Sequence, residues 1–282
     1  MERVFLNFLE TAPMKTLLKS PNFSSYVPQC KTTISWLVVL SCCARNSAAL
    51  PAAEQPKEVT NVSILISATE LLDEIELTKP TILDARARAD FEQAHISGAV
   101  WVDVADWKSL AGTDGGLHDK SSWGEKVGQL GLNRDSRVVV YGDQLSNAAR
   151  IWWLLKYVGI ENVALVDGGW QWWVKQNGPM ETTTTSPEAV AFEPEFQSDR
   201  VEEMDSLSTS FDSPDVLPLD SRSTAEFTGE DARAKRGGHI PGAVHLEWTE
   251  LLAADGRFKS LDQLQALFRD RGILPAVTAV CY

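Results

Sequence analysis

Apolar positions along this chain follow two rhythms. Short unbroken runs at Thr81-Ile82-Leu83, Ala99–Val102, Arg137–Tyr141 and Asn162–Val166 alternate with longer stretches whose apolar residues recur every three or four positions. The first rhythm suits buried strands of a parallel sheet and the second suits amphipathic helices, so the order of elements predicts an α/β architecture. Ser67 followed by Glu70 reads as a capping box, with Leu71, Leu72 and Ile75 forming one helical face. Ser122 with Glu125 and Ser260 with Gln263 read the same way, and Ser146 reads as the cap of a helix over 147–157. Asp167-Gly168-Gly169 is expected to turn sharply into a tryptophan-rich helix that ends before Gly178-Pro179, and residues 103–121 are expected as surface loop.

The pattern then begins again. Leu83-Asp84-Ala85-Arg86, Asp90-Phe91 and His95-Ile96-Ser97-Gly98-Ala99-Val100 are matched by Leu219-Asp220-Ser221-Arg222, Glu226-Phe227 and His239-Ile240-Pro241-Gly242-Ala243-Val244. Self-similarity of this kind bears on the architecture before any local assignment does. The helices opened at Ser122 and Ser260 end near Gly131 and Gly272, and ten residues separate each glycine from a tyrosine, Tyr141 or Tyr282. The organisation read from this is a leader over 1–58, a complete α/β unit over 63–180, a linker over 181–198 and the opening part of a second unit over 199–282. Thr182–Thr185, three further acids and two prolines mark Glu181–Pro194 as connector by composition. The second unit restarts with a weaker helix near Val201–Leu207 and a strand at Val216–Leu219.

A chain of 282 residues has room for two units. Its net charge of −13 argues against binding to nucleic acid or to an anionic membrane. Cys281 is the only thiol outside the leader, so neither a disulfide framework nor a zinc-like spacing is available to the body. No metal site and no cofactor is read in the sequence.

Residues 1–58 carry six basic and four acidic groups. Within them an apolar run, Ile34–Ala44, follows Lys31 and is followed by the small residues Ser47-Ala48-Ala49. That order is the order of a secretory signal, and the run falls short of the roughly 20 residues that span a membrane. An exported, periplasmic protein is expected, with the mature chain starting between Ala49 and Glu54. Acylation at Cys42, giving a lipid anchor, and a cytoplasmic protein with a disordered extension are the alternatives.

The motifs "LDAR…HISGA", "VVVYGD", "AARIWWLLKYVG" and "VALVDGGWQWW" in the first unit, with "LDSRSTAEFTG…GHIPGAVHL" in the second, resemble the tandem rhodanese-type sulfurtransferases, the thiosulfate/3-mercaptopyruvate sulfurtransferase family. The resemblance runs from Ser63 to Tyr282. It implies two tandem rhodanese-like domains with central parallel sheets, the second incomplete here; a monomer is expected. It also implies an active unit with a cysteine directly after the strand that ends at Tyr141 or Tyr282, in a loop whose inward N–H groups favour a thiolate. That thiolate would take the outer sulfur of a small anionic donor such as thiosulfate and pass it, as a persulfide, to a thiol or cyanide acceptor. Gly142-Asp143 stands at that position in the first unit, so that unit is expected to be non-catalytic, and the nucleophile is expected directly after Tyr282.

The remaining candidates have two readings each. Cys281 reads as a small core residue, or as the nucleophile if the register slips. His95 and His239 invite a general-base role, but their presence in both units favours structural turn histidines. Asp84-Arg86 and Asp220-Arg222 read as strand-end braces, with Arg222 also placed to attract an anionic substrate. Some family members carry an arginine where Glu226 stands, which bears on donor preference. The rival functions are a 3-mercaptopyruvate sulfurtransferase, a non-catalytic rhodanese-type binding or regulatory module, and a phosphatase of similar architecture. This chain by itself is expected to be inactive.

Overall fold

A computed structural model describes residues 63–203, 207, 213, 216–233 and 235–282. The leader expected over 1–58 lies outside the described residues, as do residues 204–206 of the helix expected near Val201–Leu207; Val201–Glu203, which are described, are not helical. Among the described residues no helix is long and apolar enough to cross a membrane.

The first lobe contains β1 (Leu65–Ile66), α1 (Ala68–Leu77), β2 (Thr81–Asp84), α2 (Arg88–Gln93), β3 (His95–Ile96), β4 (Val100–Trp101), α3 (Val104–Gly112), α4 (Lys120–Gln129), β5 (Val138–Tyr141), α5 (Leu145–Tyr157), β6 (Val163–Val166), α6 (Gly169–Lys175) and β7 (Met180–Glu181). Five strands form one sheet in the order β1-β6-β5-β2-β4, every pairing parallel. All four residues of β5 are buried, as its central place requires. Val138 and Val140 face one core with Trp107, Trp123, Ile151 and Leu155, while Val139 and Tyr141 face another with Leu71, Phe91 and Trp173. The period of two along one strand therefore divides the lobe into two packed layers.

The second lobe contains β8 (Val216–Asp220), α7 (Thr224–Thr228), β9 (Val244–His245), α8 (Leu261–Asp270) and β10 (Thr278–Cys281). Its sheet is parallel, in the order β10-β8-β9. Leu264, Leu267 and Phe268 of α8 pack on Leu217, Leu219, Ala279 and Cys281. β10, β8 and β9 thus repeat the arrangement of β5, β2 and β4, and Tyr141 and Tyr282 leave equivalent strands.

The helix starts at Ser67 and Ser260 are as expected, each with reciprocal bonds to Glu70 or Gln263. Three other expectations need correction. α4 starts at Lys120, because the Asp119 carboxylate accepts from both the Ser122 N–H (3.0 Å) and its hydroxyl (2.7 Å); Ser122 is a donor inside the first turn. α5 starts at Leu145 after Gln144, with no side-chain cap, so Ser146 lies within the helix. Residues 103–121 are not simply loop: Asp103 caps α3, which buries Trp107 edge-on against Trp123 at 5.5 Å. A short 3-10 helix, Gly116–His118, follows it.

The connector is polar in sequence but anchored in space. Val190 N–H donates to the Gly128 carbonyl (3.0 Å), Glu195 N–H to Val158 (3.0 Å) and Gln197 N–H to Tyr157 (2.9 Å). Phe192 and Phe196 pack against the first-lobe core, and Phe196 stacks on Tyr157 at 5.2 Å. α4 admits this strap because its facing positions, Gly124 and Gly128, have no side chain. A Cβ on Gly128 would lie 2.3 Å from the Val190 carbonyl oxygen and one on Gly124 2.8 Å from that of Phe192. Gly128→Ala is therefore expected to lower stability by about 1–3 kcal/mol, despite alanine's better helix propensity, by pushing the strap away. Thermal denaturation measures the loss, and faster amide exchange at Val190 locates it.

Candidate functional site

In an open parallel sheet the carboxyl ends of the strands form the ligand-binding edge. At that edge of the first lobe, Asp84 has no exposed surface. Its Oδ1 accepts from the Arg86 backbone N–H (2.8 Å) and Nε (3.1 Å), and its Oδ2 from Arg86 Nη2 (2.6 Å). The Tyr141 hydroxyl also donates to Asp84 Oδ2, and accepts from the Ile96 N–H at 3.2 Å. Arg86 Nη2 reaches the Ala94 carbonyl at 2.7 Å, and the Trp101 indole N–H donates to the Arg86 carbonyl at 2.9 Å. Burial pulls the Arg86 guanidinium down, but its hydrogen bonds and charge pairing with Asp84 outweigh this and leave it raised. Burial, reinforced by the Asp84 charge, holds the Tyr141 phenol far above its ordinary value, so it remains a donor.

The second lobe makes the same bracket. Asp220 Oδ1 accepts from the Arg222 N–H and Nε, both at 3.0 Å, and Oδ2 from Nη2 at 2.6 Å. Arg222 Nη2 continues to the Gly238 carbonyl (2.9 Å), and the Ile240 N–H donates to the Tyr282 hydroxyl (2.8 Å). His245 takes the place of Trp101, with its Nε2 3.0 Å from the Arg222 carbonyl. Because that partner is an acceptor, Nε2 carries the proton. Burial pushes the Tyr282 phenol up to about 12. Burial raises the Asp220 carboxyl, but the Arg222 hydrogen bonds outweigh it and hold the pKa below the usual carboxylate value.

The two brackets differ in what lies above them. The Trp170 ring covers Arg86 at 3.9 Å, leaving its side chain 3% exposed. Arg222 is 31% exposed, and its Nη1 lies 3.9 Å from the buried carboxylate of Glu226. Glu226 also meets Arg233 Nε at 2.9 Å.

A family model, the rhodanese-like domain, matches residues 67–176. A putative thiosulfate sulfurtransferase of Haloferax volcanii is 33% identical over 239 residues, covering 78% of this chain and 81% of that protein. The chain belongs to the rhodanese family of sulfurtransferases. Human 3-mercaptopyruvate sulfurtransferase is 30% identical over 194 residues, covering 66% of this chain, which spans 65% of the human enzyme's length. Among solved structures, SseA from Escherichia coli, described as a 3-mercaptopyruvate sulfotransferase, superposes with a TM-score of 0.64. It is 27% identical, with 75% of this chain and 85% of that chain covered.

Within this chain, Gly142-Asp143-Gln144 follows β5 directly into α5, and Asp143 Oδ1 accepts from the Gln144 N–H at 2.8 Å. Cys281 is 3% exposed, paired with Leu219 in the sheet and packed among Leu246, Leu251 and Phe268. Burial pushes its thiol up. The two histidines differ in exposure but share two contacts. His95 Nδ1 lies 2.7 Å from the Phe91 carbonyl and His239 Nδ1 2.8 Å from that of Phe227, with each ring stacked on its phenylalanine at 3.9 or 3.7 Å. His95 is fully buried, and its Nε2 faces Glu181 Oε1 at 3.9 Å. The Gly168-Gly169 turn packs on the loop after β5: the Trp170 N–H donates to the Gly142 carbonyl (2.9 Å), and a Cβ on Gly169 would sit 2.2 Å from that oxygen.

Sequence reasoning used the two tyrosines only as strand markers and missed their hydroxyls. The signal was available, since a tyrosine closes the corresponding strand in both halves. The Trp170 roof carried no comparable signal.

The depressed Asp220 pKa has a definite sign. Its stabilisation is fully present above the unfolded carboxylate value of about 3.9 and is lost as pH falls through the lower folded value. Asp220→Asn is expected to cost about 1–2 kcal/mol at pH 7, toward the low end because Arg222 is partly solvated, and to flatten the acid limb of the unfolding curve. Urea titrations followed by tryptophan fluorescence at pH 7 and near pH 3 check both the size and the sign.

Proposed function

We propose that this rhodanese moves a sulfane sulfur from a small anionic donor, thiosulfate or 3-mercaptopyruvate, to a thiol or cyanide through a cysteine persulfide. The carrying observation is the Asp-Arg-Tyr bracket present in both lobes, which makes the position after Tyr282 the counterpart of Gly142. A cysteine at that position would stand at the carboxyl edge of the sheet, beside Arg222. With thiosulfate, its thiolate attacks the outer sulfur, the S–S bond breaks, and sulfite leaves with the bonding pair. The persulfide's terminal sulfur then passes to cyanide, giving thiocyanate and restoring the thiolate.

In this reading the first lobe is the non-catalytic member of a tandem pair. Asp143 replaces a nucleophile with a charge that repels an anionic donor, and Trp170 closes the approach to Arg86. Arg222 is the anion-attracting group of the second lobe, moderated by Glu226. The named relatives include a putative thiosulfate sulfurtransferase and a 3-mercaptopyruvate sulfurtransferase, which supports the reaction class and leaves the donor open between the two.

The 282-residue polypeptide is expected to form no thiocyanate from thiosulfate and cyanide, because neither Asp143 nor buried Cys281 supplies a thiolate. Turnover that disappears in Cys281→Ser would overturn this assignment and make Cys281 the nucleophile.

The protein is further proposed to be exported, on the strength of the apolar run at Ile34–Ala44. N-terminal sequencing of the native protein is expected to return a start between Ala49 and Glu54, or a blocked Cys42 if a lipid is attached. Recovery of Met1 or Met14 would refute export.

A further inference from the structure

The carboxyl edge of the first sheet is occupied by part of the second lobe. Residues 253–259 form a tight hairpin: Leu252 and Phe258 make an antiparallel bridge, Ala253 N–H donates to the Arg257 carbonyl (2.8 Å), and Gly256 N–H donates to that of Ala253 (3.0 Å). Two backbone groups of this hairpin meet two first-lobe side chains of matching polarity. The Phe258 N–H donates to Asp167 Oδ1 at 2.8 Å, and the Trp172 indole N–H donates to the Asp255 carbonyl at 3.2 Å. The Arg257 guanidinium lies over the Trp172 ring at 4.2 Å and is held there by the Asp255 carboxylate at 2.9 Å.

Asp167 stands where β6 ends and Trp172 lies on α6, so both project from elements of the first lobe. Phe258 joins the lobes in a single residue. Its side chain packs with the second-lobe core of Leu219, Leu251 and Cys281, while its amide is bound by the first lobe. Among the described residues the connector's backbone anchors at Val190, Glu195 and Gln197 all lie on the first lobe and do not hold the second.

We propose that Asp167 and Trp172 form an intramolecular docking cleft for the 253–259 hairpin, and that this latch sets the position of the second lobe against the first. The latch uses the edge at which an α/β sheet ordinarily receives a ligand, and its occupant is a piece of this same chain. Through Leu251 and Phe258 it bears on β8 and β10, whose ends carry Asp220 and Tyr282. The inference does not depend on the sulfur chemistry.

Amide hydrogen exchange on the 282-residue chain tests it, read by mass spectrometry on peptides covering 253–259 and, as a control, 138–141. Asp167→Ala is expected to speed exchange in 253–259 by about tenfold, the equivalent of one lost hydrogen bond to a charged acceptor, without changing 138–141. Asp167→Asn keeps a side-chain carbonyl acceptor and is expected to stay within about threefold of wild type. Trp172→Phe keeps a ring under Arg257 but removes the donor to Asp255, and is expected to give an intermediate rate. Small-angle scattering is expected to show a larger radius of gyration for Asp167→Ala. Unchanged exchange in 253–259 for Asp167→Ala would overturn the proposal. If Asp167→Ala also speeds 138–141, so that the whole first lobe has loosened, Trp172→Phe decides: a wild-type rate in 253–259 overturns the latch, and a selective increase there supports it.

Discussion

A carboxylate with no exposed surface must be matched by donors on every side, or its desolvation opposes the fold around it. Asp84 and Asp220 occupy that position at the carboxyl ends of β2 and β8. Matching each of them draws in the arginine two residues on, that residue's backbone amide, and a tyrosine from the neighbouring strand. The tyrosine hydroxyl then takes the amide after the histidine, and the arginine takes a carbonyl from the segment before it. One buried charge thereby ties together the strand end, the turn after it, the histidine turn and the next strand. The recurrence in both halves of Asp-x-Arg, of a histidine turn and of a tyrosine on the neighbouring strand's end follows from this single requirement.

What surrounds the two brackets separates them. In the first lobe β6 and α6 follow β5, and α6 lays Trp170 over Arg86. A cation pressed against an indole and shielded from water is out of reach of a solute anion. In the second lobe Arg222 keeps about a third of its side chain in solvent, and a buried acid, Glu226, competes for it. The same backbone arrangement thus presents a closed face in one place and an accessible cation in the other.

Much of this was legible in the sequence because it rests on local rules. The apolar run of β5, the capping boxes at Ser67 and Ser260, and the paired half-lines around Asp84 and Asp220 each depend on residues near one another in the chain. Local competition misled the reading at two helix starts. Asp119 captures the orphan amide that Ser122 was expected to cap, and α5 begins without any side-chain cap. α3 was hidden by the glycines that follow it, although Trp107 with Leu110 and Ala111 has helical spacing. Long-range pairings left no pattern to read. Nothing in the neighbourhood of Asp167 announces that its acceptor is for Phe258, 91 residues away.

The strap has a consequence for how the molecule divides. By composition the break falls near Glu181, where the polar run begins. By packing it falls after Val201, because Phe192, Phe196, Val201, the amides of Val190, Glu195 and Gln197 and the Arg200–Glu161 pair all belong to the first lobe. A fragment cut at Glu181 would leave the glycine-lined side of α4 bare and the stacked face of Tyr157 wet. The covalent border and the physical border of the first lobe are therefore about twenty residues apart, a span in which the chain is already past the last strand of that lobe and still part of the same body.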